Sequence, residues 1–349
     1  MGFLIQKKMF ILDEKHQLFN NCHASTILSI QPSKLLVAFF AGNKEGDVDT
    51  AIWTVLQKDG VWQTPKKTID EVGVAHWNPV LHQDPKTGYI WLFYKVGADV
   101  HSWTTRFILS KDQGDTWTKP TELVKGDISP RGPVKNKLII ADDGTWLAPS
   151  SIENDKYWDA FIDISQDNGI TWMKQSIPLF HIDNKDSVKE TLWEGLQNNT
   201  LWENDTSHIF KWDGVIQPSL WKSTPRNIHA LMRSTRGYIY RSDSKDNGKI
   251  WSEAYATDLP NNNSGIDVVK LDTDLLVLAY NPISGNWGIR YPIALACSSD
   301  NGITWSVPFS LEDNVGEFSY PAIIYSEGII HLTYTWNRKN IVYQQIIYQ

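Results

Sequence analysis

One eight-residue pattern, Ser-x-Asp-x-Gly-x-x-Trp, occurs four times in this chain, at residues 110–117, 165–172, 244–251 and 298–305. The Asp-x-Gly core is typical of a tight turn, because the carboxylate accepts nearby backbone N–H groups and glycine adopts positive φ without a steric penalty. We expect the tryptophan to pack each turn against its own sheet. Such a repeat constrains the whole architecture, since each copy marks one unit of a larger array.

The spacing of the copies indicates the size of that unit. Their aspartates stand at positions 112, 167, 246 and 300, so the intervals are 55, 79 and 54 residues. A shorter relative at 58–62 places Asp59 another 53 residues before Asp112. Apolar or alternating runs between the copies, such as 35–40, 89–94, 275–280 and 328–335, predict β-strands. The long interval holds an insertion at about 173–215, a length that is typical of a functional loop.

The repeat resembles the Asp box of bacterial sialidases and related β-propellers. Four more segments are similar to the sialidase-like Asp-box family: His-Ala-Ser-Thr at 23–26, Asn-Pro-Val-Leu at 78–81, Gln-Pro-Ser-Leu at 217–220 and Phe-Ser-Tyr-Pro at 318–321. The resemblance covers most of the chain and implies an all-β, six-bladed β-propeller of four-stranded antiparallel blades. We expect a single domain over residues 1–349. One blade should combine residues 320–349 with an N-terminal strand, because mixing the chain ends removes exposed sheet edges.

The resemblance also implies roles for individual residues. Sialidases hold the carboxylate of their sugar with three arginines, use a tyrosine nucleophile polarised by a glutamate, and use an aspartate as acid/base. Tyr320 looks like the nucleophile, and Arg233 and Arg290 look like the second and third arginines. Glu45 is similar in position to the acid/base aspartate, with Asp47 or Asp49 as alternatives.

Two positions depart from the sialidase pattern. His23 stands where the first arginine is expected, and imidazole cannot reproduce the bidentate donors of a guanidinium. Gln217 stands where the glutamate partner of the tyrosine is expected, and a neutral amide cannot take up a phenolic proton. Both remain candidate catalytic residues together with Glu45 and Tyr320. Further candidate substrate-binding residues are Asn78, Asp47, Arg131 and Lys135.

Three functional hypotheses follow. The first is an exo-acting glycoside hydrolase that cleaves a terminal acidic sugar, sialic or uronic acid, from a glycan, with Glu45 as general acid and Tyr320 as nucleophile. The second is a uronate-specific lyase, in which His23 and Tyr320 act as base and acid. The third is a non-catalytic carbohydrate-binding propeller, which the amide at position 217 and the 17 tryptophans favour.

Composition and charge argue against nucleic acid and membrane as binding partners. A net charge of −7 without a basic run argues against nucleic acid. No stretch reaches the ~18 apolar residues of a membrane span, and the start of the chain shows no apolar core followed by a cleavage site, which predicts a cytoplasmic protein of bacterial type. Cys22 and Cys297 each lie in an apolar strand, which favours buried free thiols. Without a Cys/His cluster or a phosphate-binding loop, we expect no metal and no other cofactor.

Overall fold

The computed structural model describes residues 2–182 and 211–349, and within these ranges it contains 25 β-strands and no helix. The strands are β1 (Phe3–Phe10), β2 (Asn21–Gln31), β3 (Lys34–Gly42), β4 (Ala51–Lys58), β5 (Val61–Trp62), β6 (Lys66–Ile69), β7 (His76–Gln83), β8 (Ile90–Val96), β9 (Thr104–Ser110), β10 (Thr121–Glu122), β11 (Ile139–Ile140), β12 (Trp146–Glu153), β13 (Tyr157–Ser165), β14 (Met173–Ser176), β15 (Asp213–Lys222), β16 (Ile228–Ser234), β17 (Tyr238–Ser244), β18 (Tyr255–Pro260), β19 (Asp267–Lys270), β20 (Leu276–Tyr280), β21 (Ile293–Ser298), β22 (Phe309–Glu312), β23 (Phe318–Ser326), β24 (Ile329–Trp336) and β25 (Asn340–Tyr348). Helices that could cross a membrane are absent from the described parts of the chain. The four apolar runs singled out above fall in β3, β8, β20 and β24, as predicted.

The chain divides into two compact units. Unit 1 comprises the N-terminal part up to Lys137 together with Tyr320–Gln349, and unit 2 comprises the described part of Leu138–Ser319. In unit 1, β2–β6 form one sheet, β7–β10 a second, and β1 with β25, β24 and β23 a third. In unit 2, β19–β22 form one sheet, and β11–β18 form another.

The two ends of the chain share a sheet, which confirms the predicted combination of the C-terminal strands with an N-terminal strand. β1 pairs antiparallel with β25, from Phe3 opposite Tyr348 to Phe10 opposite Val342. β24 and β23 continue the same sheet, in the order β1-β25-β24-β23. The first strand therefore has no place in a sheet until the last strand is present.

The prediction of six separate four-stranded blades is wrong. The described residues form five sheets, of which three have four strands, one has five and one has eight. The eight-stranded sheet arises because β13 and β15 pair in parallel, with Trp158 opposite Gly214. A Cβ at Gly214 would lie 1.9 Å from the carbonyl oxygen of Trp158, so only glycine permits this approach. The spacing of the boxes does not predict that two sheets join in this way.

Each Asp box begins at the last residue of a strand, and the box at 298–305 shows its construction. The hydroxyl of Ser298 donates to Asp300 at 2.7 Å and accepts the N–H of Gly302 at 2.8 Å. Asp300 in turn accepts the N–H of Thr304 at 2.9 Å, and the indole N–H of Trp305 donates to the Gly302 carbonyl at 3.2 Å. The other three boxes repeat the serine contacts. The predicted tight turn is confirmed.

The boxes predict a specific loss of stability in acid. Hydrogen bonds from a threonine hydroxyl lower the pKa of Asp112, Asp167 and Asp300 to about 2. An unfolded aspartate has a pKa of about 3.9, so this stabilisation is complete above that pH and is lost as the pH falls towards 2. We expect Asp300→Asn to lower the melting temperature at neutral pH, and the difference from wild type to shrink between about pH 4 and about pH 2. Thermal scans across this range check it, with the exposed Asp272→Asn as a control that shows neither effect. A difference that stays constant with pH would contradict the prediction.

Candidate functional site

Several predicted site residues lie at or beside a left-handed backbone position within a strand. The φ angle is 52° at Ala24, 40° at Asn78, 55° at Gln217 and 54° at Tyr320. The pairing register shifts at the first three of these places, in β2, β7 and β15, as at β-bulges, which re-aim side chains. Such a backbone costs about 1–3 kcal/mol for a residue with a side chain and persists where the surroundings enforce it. The available sequence signal is a proline inside a strand, which directly follows Asn78, Gln217 and Tyr320.

His23 and Tyr320 lie against each other in unit 1. Their ring centroids are 4.2 Å apart, with an angle of 45° between the ring planes. His23 is 1% exposed, and its Nδ1 lies 2.9 Å from the hydroxyl oxygen of Thr335 in β24, which orients the imidazole. Tyr320 is only partly buried. The structure thus brings two of the predicted catalytic residues together, one of them accessible and the other held within the protein.

Glu45 lies in the loop that follows β3 and forms an ion pair with Arg338, which stands in the turn between β24 and β25. About a third of the Glu45 side chain is exposed, compared with a fifth of that of Arg338. Asp47, two residues further along the loop, accepts a hydrogen bond from Nδ2 of Asn43 at 3.3 Å. Asp49 accepts the backbone N–H of Asn43 at 3.1 Å. The loop therefore carries three held carboxylates, and Asp47 and Asp49 remain the alternatives to Glu45 as the acid.

The ammonium group of Lys135 lies beside the backbone next to Tyr320. Its Nζ donates to Oδ1 of Asn136 at 2.9 Å and also to the carbonyl oxygen of Pro321. Lys135 is 2% exposed and has a φ of 65°, the same left-handed conformation that Tyr320 has. A fixed cation therefore accompanies the His23–Tyr320 pair within unit 1.

The remaining two candidates in unit 1 are buried polar residues. Nη1 of Arg131 forms an ion pair with Oδ2 of Asp127 at 2.8 Å, so its charge is already balanced by a carboxylate. Asn78 is 6% exposed at the bulge of β7.

In unit 2, the guanidinium of Arg233 donates to oxygens of Asn263 and Gln217. Its Nε donates to Oδ1 of Asn263 at 2.9 Å, its Nη2 donates to the Asn263 carbonyl, and its Nη1 donates to Oε1 of Gln217 at 3.3 Å. Asn263 donates onward to Oδ1 of Asn286 at 2.7 Å. The structure brings the predicted Arg233 and Gln217 together, whereas both asparagines were missed. The available signal was the run of three asparagines at 261–263.

Arg290 pairs with a carboxylate that the sequence analysis also missed. Its Nη1 lies 2.8 Å from Oε1 of Glu317 and 3.3 Å from Oγ of Ser319. The Arg290 and Glu317 side chains are 11% and 10% exposed, so the ion pair is largely removed from water. Glu317 directly precedes the Phe-Ser-Tyr-Pro segment, and this position was the available signal. The carboxylate of Glu317 therefore balances the charge of Arg290, whereas the sequence predicted that Arg290 binds the carboxylate of the sugar.

The described residues include no group of three His, Cys, Asp or Glu side chains that could hold a metal ion. Cys22 is a buried free thiol as predicted, and burial raises the pKa of this thiol, which keeps it protonated. The prediction is wrong for Cys297, which is free but partly exposed. The predicted insertion at 173–215 lies mostly outside the described residues, at 183–210.

Comparisons with known proteins identify a matching family and similar solved structures. Residues 33–332 match the family described as BNR repeat-like domain. No curated protein matches the chain. Among solved structures, the chain is similar to Hadza microbial sialidase Hz136, with a TM-score of 0.74 and 18% identity over 97% of this chain and 68% of that one. It is also similar to a protein of unknown function from Dyadobacter fermentans, with a TM-score of 0.72 and 14% identity over 100% of both chains.

A third similar structure is the intramolecular trans-sialidase from Ruminococcus gnavus, with a TM-score of 0.67 and 12% identity over 94% of this chain and 95% of that one. Identities this low carry information about the fold and not about the reaction. Together these likenesses show an all-β fold of the sialidase-like β-propeller type.

Proposed function

The chain belongs to the BNR repeat-like domain family, and on this premise we propose that it is a glycoside hydrolase of the sialidase superfamily that removes a terminal acidic sugar, sialic or uronic acid, from a glycan. The contact between His23 and Tyr320 carries the proposal. A phenol becomes an effective nucleophile when a neighbouring base takes its proton. The amide of Gln217 cannot accept that proton, whereas the imidazole of His23 can.

In the proposed reaction, the phenolic oxygen of Tyr320 attacks the anomeric carbon while the bond from this carbon to the leaving oxygen breaks. His23 takes the phenolic proton, and Glu45 donates a proton to the leaving oxygen, so that the glycan departs as an alcohol. Water then attacks the anomeric carbon and the bond to Tyr320 breaks. Glu45 takes the proton of the water, and His23 returns its proton to the phenolate. The net change is the addition of water across one glycosidic bond.

An acidic sugar is supported by the cations among the candidate residues. Lys135 is a fixed ammonium group beside the residue that follows Tyr320. Arg233 is a buried guanidinium that donates to oxygens of Asn263 and Gln217. We propose Lys135 as a ligand of the sugar carboxylate, whereas for Arg233 this role rests on the resemblance to sialidases. Arg290 keeps this role from the family resemblance, although Glu317 already balances its charge.

The same pair of rings favours a second candidate, a uronate-specific lyase. In that reaction the imidazole of His23 removes the proton next to the uronate carboxylate, and the phenol of Tyr320 protonates the leaving oxygen as its bond to carbon breaks. The product contains a new carbon–carbon double bond, and no water is added. Hydrolysis and elimination therefore leave different products from one substrate.

Incubation with a panel of acidic glycans tests the proposal. The panel contains sialyllactose and uronate-terminated oligosaccharides, and the products are identified by mass spectrometry. We expect release of an acidic monosaccharide that has gained the elements of water. A product that has gained no water and absorbs as an unsaturated uronate would establish the lyase instead. Bound oligosaccharide without any product would exclude both reactions and identify a carbohydrate-binding propeller.

A further inference from the structure

A cavity of about 750 Å³ lies in unit 1 beside the loop that carries Glu45, and Asp47, the alternative to Glu45 as the acid, is one of the residues that line it. Its walls come from residues 17–20 before β2, from the loop after β3, and from Trp53 and Lys67 in β4 and β6. His23, Glu45 and Tyr320 are not among the residues that line it. Its volume lies within the range of about 300–1,000 Å³ that is usual for small-molecule sites.

One wall of the cavity is apolar. Phe19 meets Trp53 edge to face, with ring centroids 5.2 Å apart and an angle of 67° between the planes. Leu18 is 45% exposed and Val48 is 62% exposed, so two aliphatic side chains border the aromatic pair in contact with solvent. The indole N–H of Trp53 is buried and has no acceptor within residues 2–182 and 211–349.

The cavity is also lined by polar groups, and these hold each other in fixed directions. Nδ2 of Asn20 donates to Oδ1 of Asn43 at 2.8 Å, and Nδ2 of Asn43 donates to Oδ2 of Asp47 at 3.3 Å. The backbone N–H of Asn43 lies 3.1 Å from each carboxylate oxygen of Asp49. A carboxylate offers about four acceptor positions, so both aspartates retain the capacity to accept hydrogen bonds from a ligand.

We propose that this cavity binds a neutral sugar. A sugar ring presents an apolar C–H face, which matches Phe19, Leu18 and Val48, and an edge of hydroxyl donors, which match the carboxylates. Lys67 is paired with Asp70 at 2.9 Å, so Asp47 and Asp49 leave the cavity acidic. Like charges placed opposite each other disfavour binding, and an acidic sugar is therefore excluded here. The site takes neutral sugar units and requires no reaction at Tyr320.

Saturation-transfer NMR on the full chain with lactose, cellobiose and maltose tests the site. We expect transfer to the ring C–H protons of at least one of these disaccharides, because these protons face the apolar wall. Leu18→Asp, which adds a charge to that wall, is expected to weaken the binding about tenfold or more. Leu4→Asp is the matched control, since Leu4 is 47% exposed and lies in β1 outside the cavity, and binding should be unchanged.

Asn43→Ala is a second variant, which removes the link between Asn20 and Asp47 and should weaken the same disaccharide. Melting temperatures of all variants near that of the wild type show that they are folded. No transfer to any of the three sugars would overturn the site, and so would binding that survives both Leu18→Asp and Asn43→Ala. Neutral disaccharides carry no carboxylate, so failure here leaves the acidic-glycan reaction untouched, and the reverse also holds.

Discussion

Replacing Tyr320 with phenylalanine is expected to lower kcat on an acidic-glycan substrate by about 10²–10⁴-fold or more, because the ring remains but the attacking oxygen is lost. The melting temperature should stay near that of the wild type, since the phenyl ring retains the packing against His23. Initial rates on the substrate identified from the panel provide the measurement. His23→Gln should lower kcat by a similar factor, because no base then takes the proton of the phenol.

A matched control lies on the same strand. Tyr325→Phe makes the identical chemical change at another partly buried tyrosine of β23 and should leave kcat within about twofold of wild type. If His23 and Tyr320 act as a unit, the double variant loses little more activity than either single variant, since effects within one catalytic unit are not additive. Undiminished turnover by Tyr320→Phe would rule out its role in both the hydrolase and the lyase.

Asp213→Ala is expected to lower the free energy of unfolding by about 3–5 kcal/mol, because it leaves a buried guanidinium without its carboxylate. Arg236 donates to Asp213 through Nε at 2.9 Å and through Nη2 at 2.8 Å, and the two side chains are 5% and 2% exposed. Nδ1 of His181 also lies 3.1 Å from the same carboxylate. Urea unfolding of wild type and variant provides the measurement.

The exposed ion pair between Lys67 and Asp70 is the control for this variant. Its side chains are 46% and 44% exposed, and pairs of this kind contribute about 0–1 kcal/mol. Asp70→Ala should therefore shift the unfolding midpoint far less than Asp213→Ala. Equal shifts in the two variants would mean that burial does not determine the contribution of the pair around Asp213.

Local and periodic signals predicted much of the fold. The box turns were predictable because serine, aspartate, glycine and tryptophan make their contacts within eight residues of sequence. The shared sheet of the chain ends followed from the need to remove exposed edges. The number of separate sheets was not predictable, since the joining of β13 to β15 depends on Gly214 meeting Trp158 at close range. That contact has no counterpart in the repeat.

For the site, the sequence located single residues better than their partners. His23, Tyr320, Gln217 and Arg233 were predicted from their resemblance to positions of the sialidase-like Asp-box family. The partner of Glu45 is Arg338, 293 residues away, and a pairing over such a separation leaves no periodic trace. The carboxylate beside Arg290 was missed for a different reason: Glu317 reads as an ordinary loop acid until burial gives it a partner.

The pairing of β1 with β25 bears on the order of events in folding. In the described residues, the other sheets join strands that are much nearer to each other in sequence, whereas the pairing of Phe3 with Tyr348 spans most of this sequence. Closing so long a loop carries an entropic penalty that no local contact offsets in advance, so it belongs among the late steps. Until then, β1 and β25 both expose an unpaired edge. During synthesis, β1 therefore stays without its partner until the segment that forms β25 has been made.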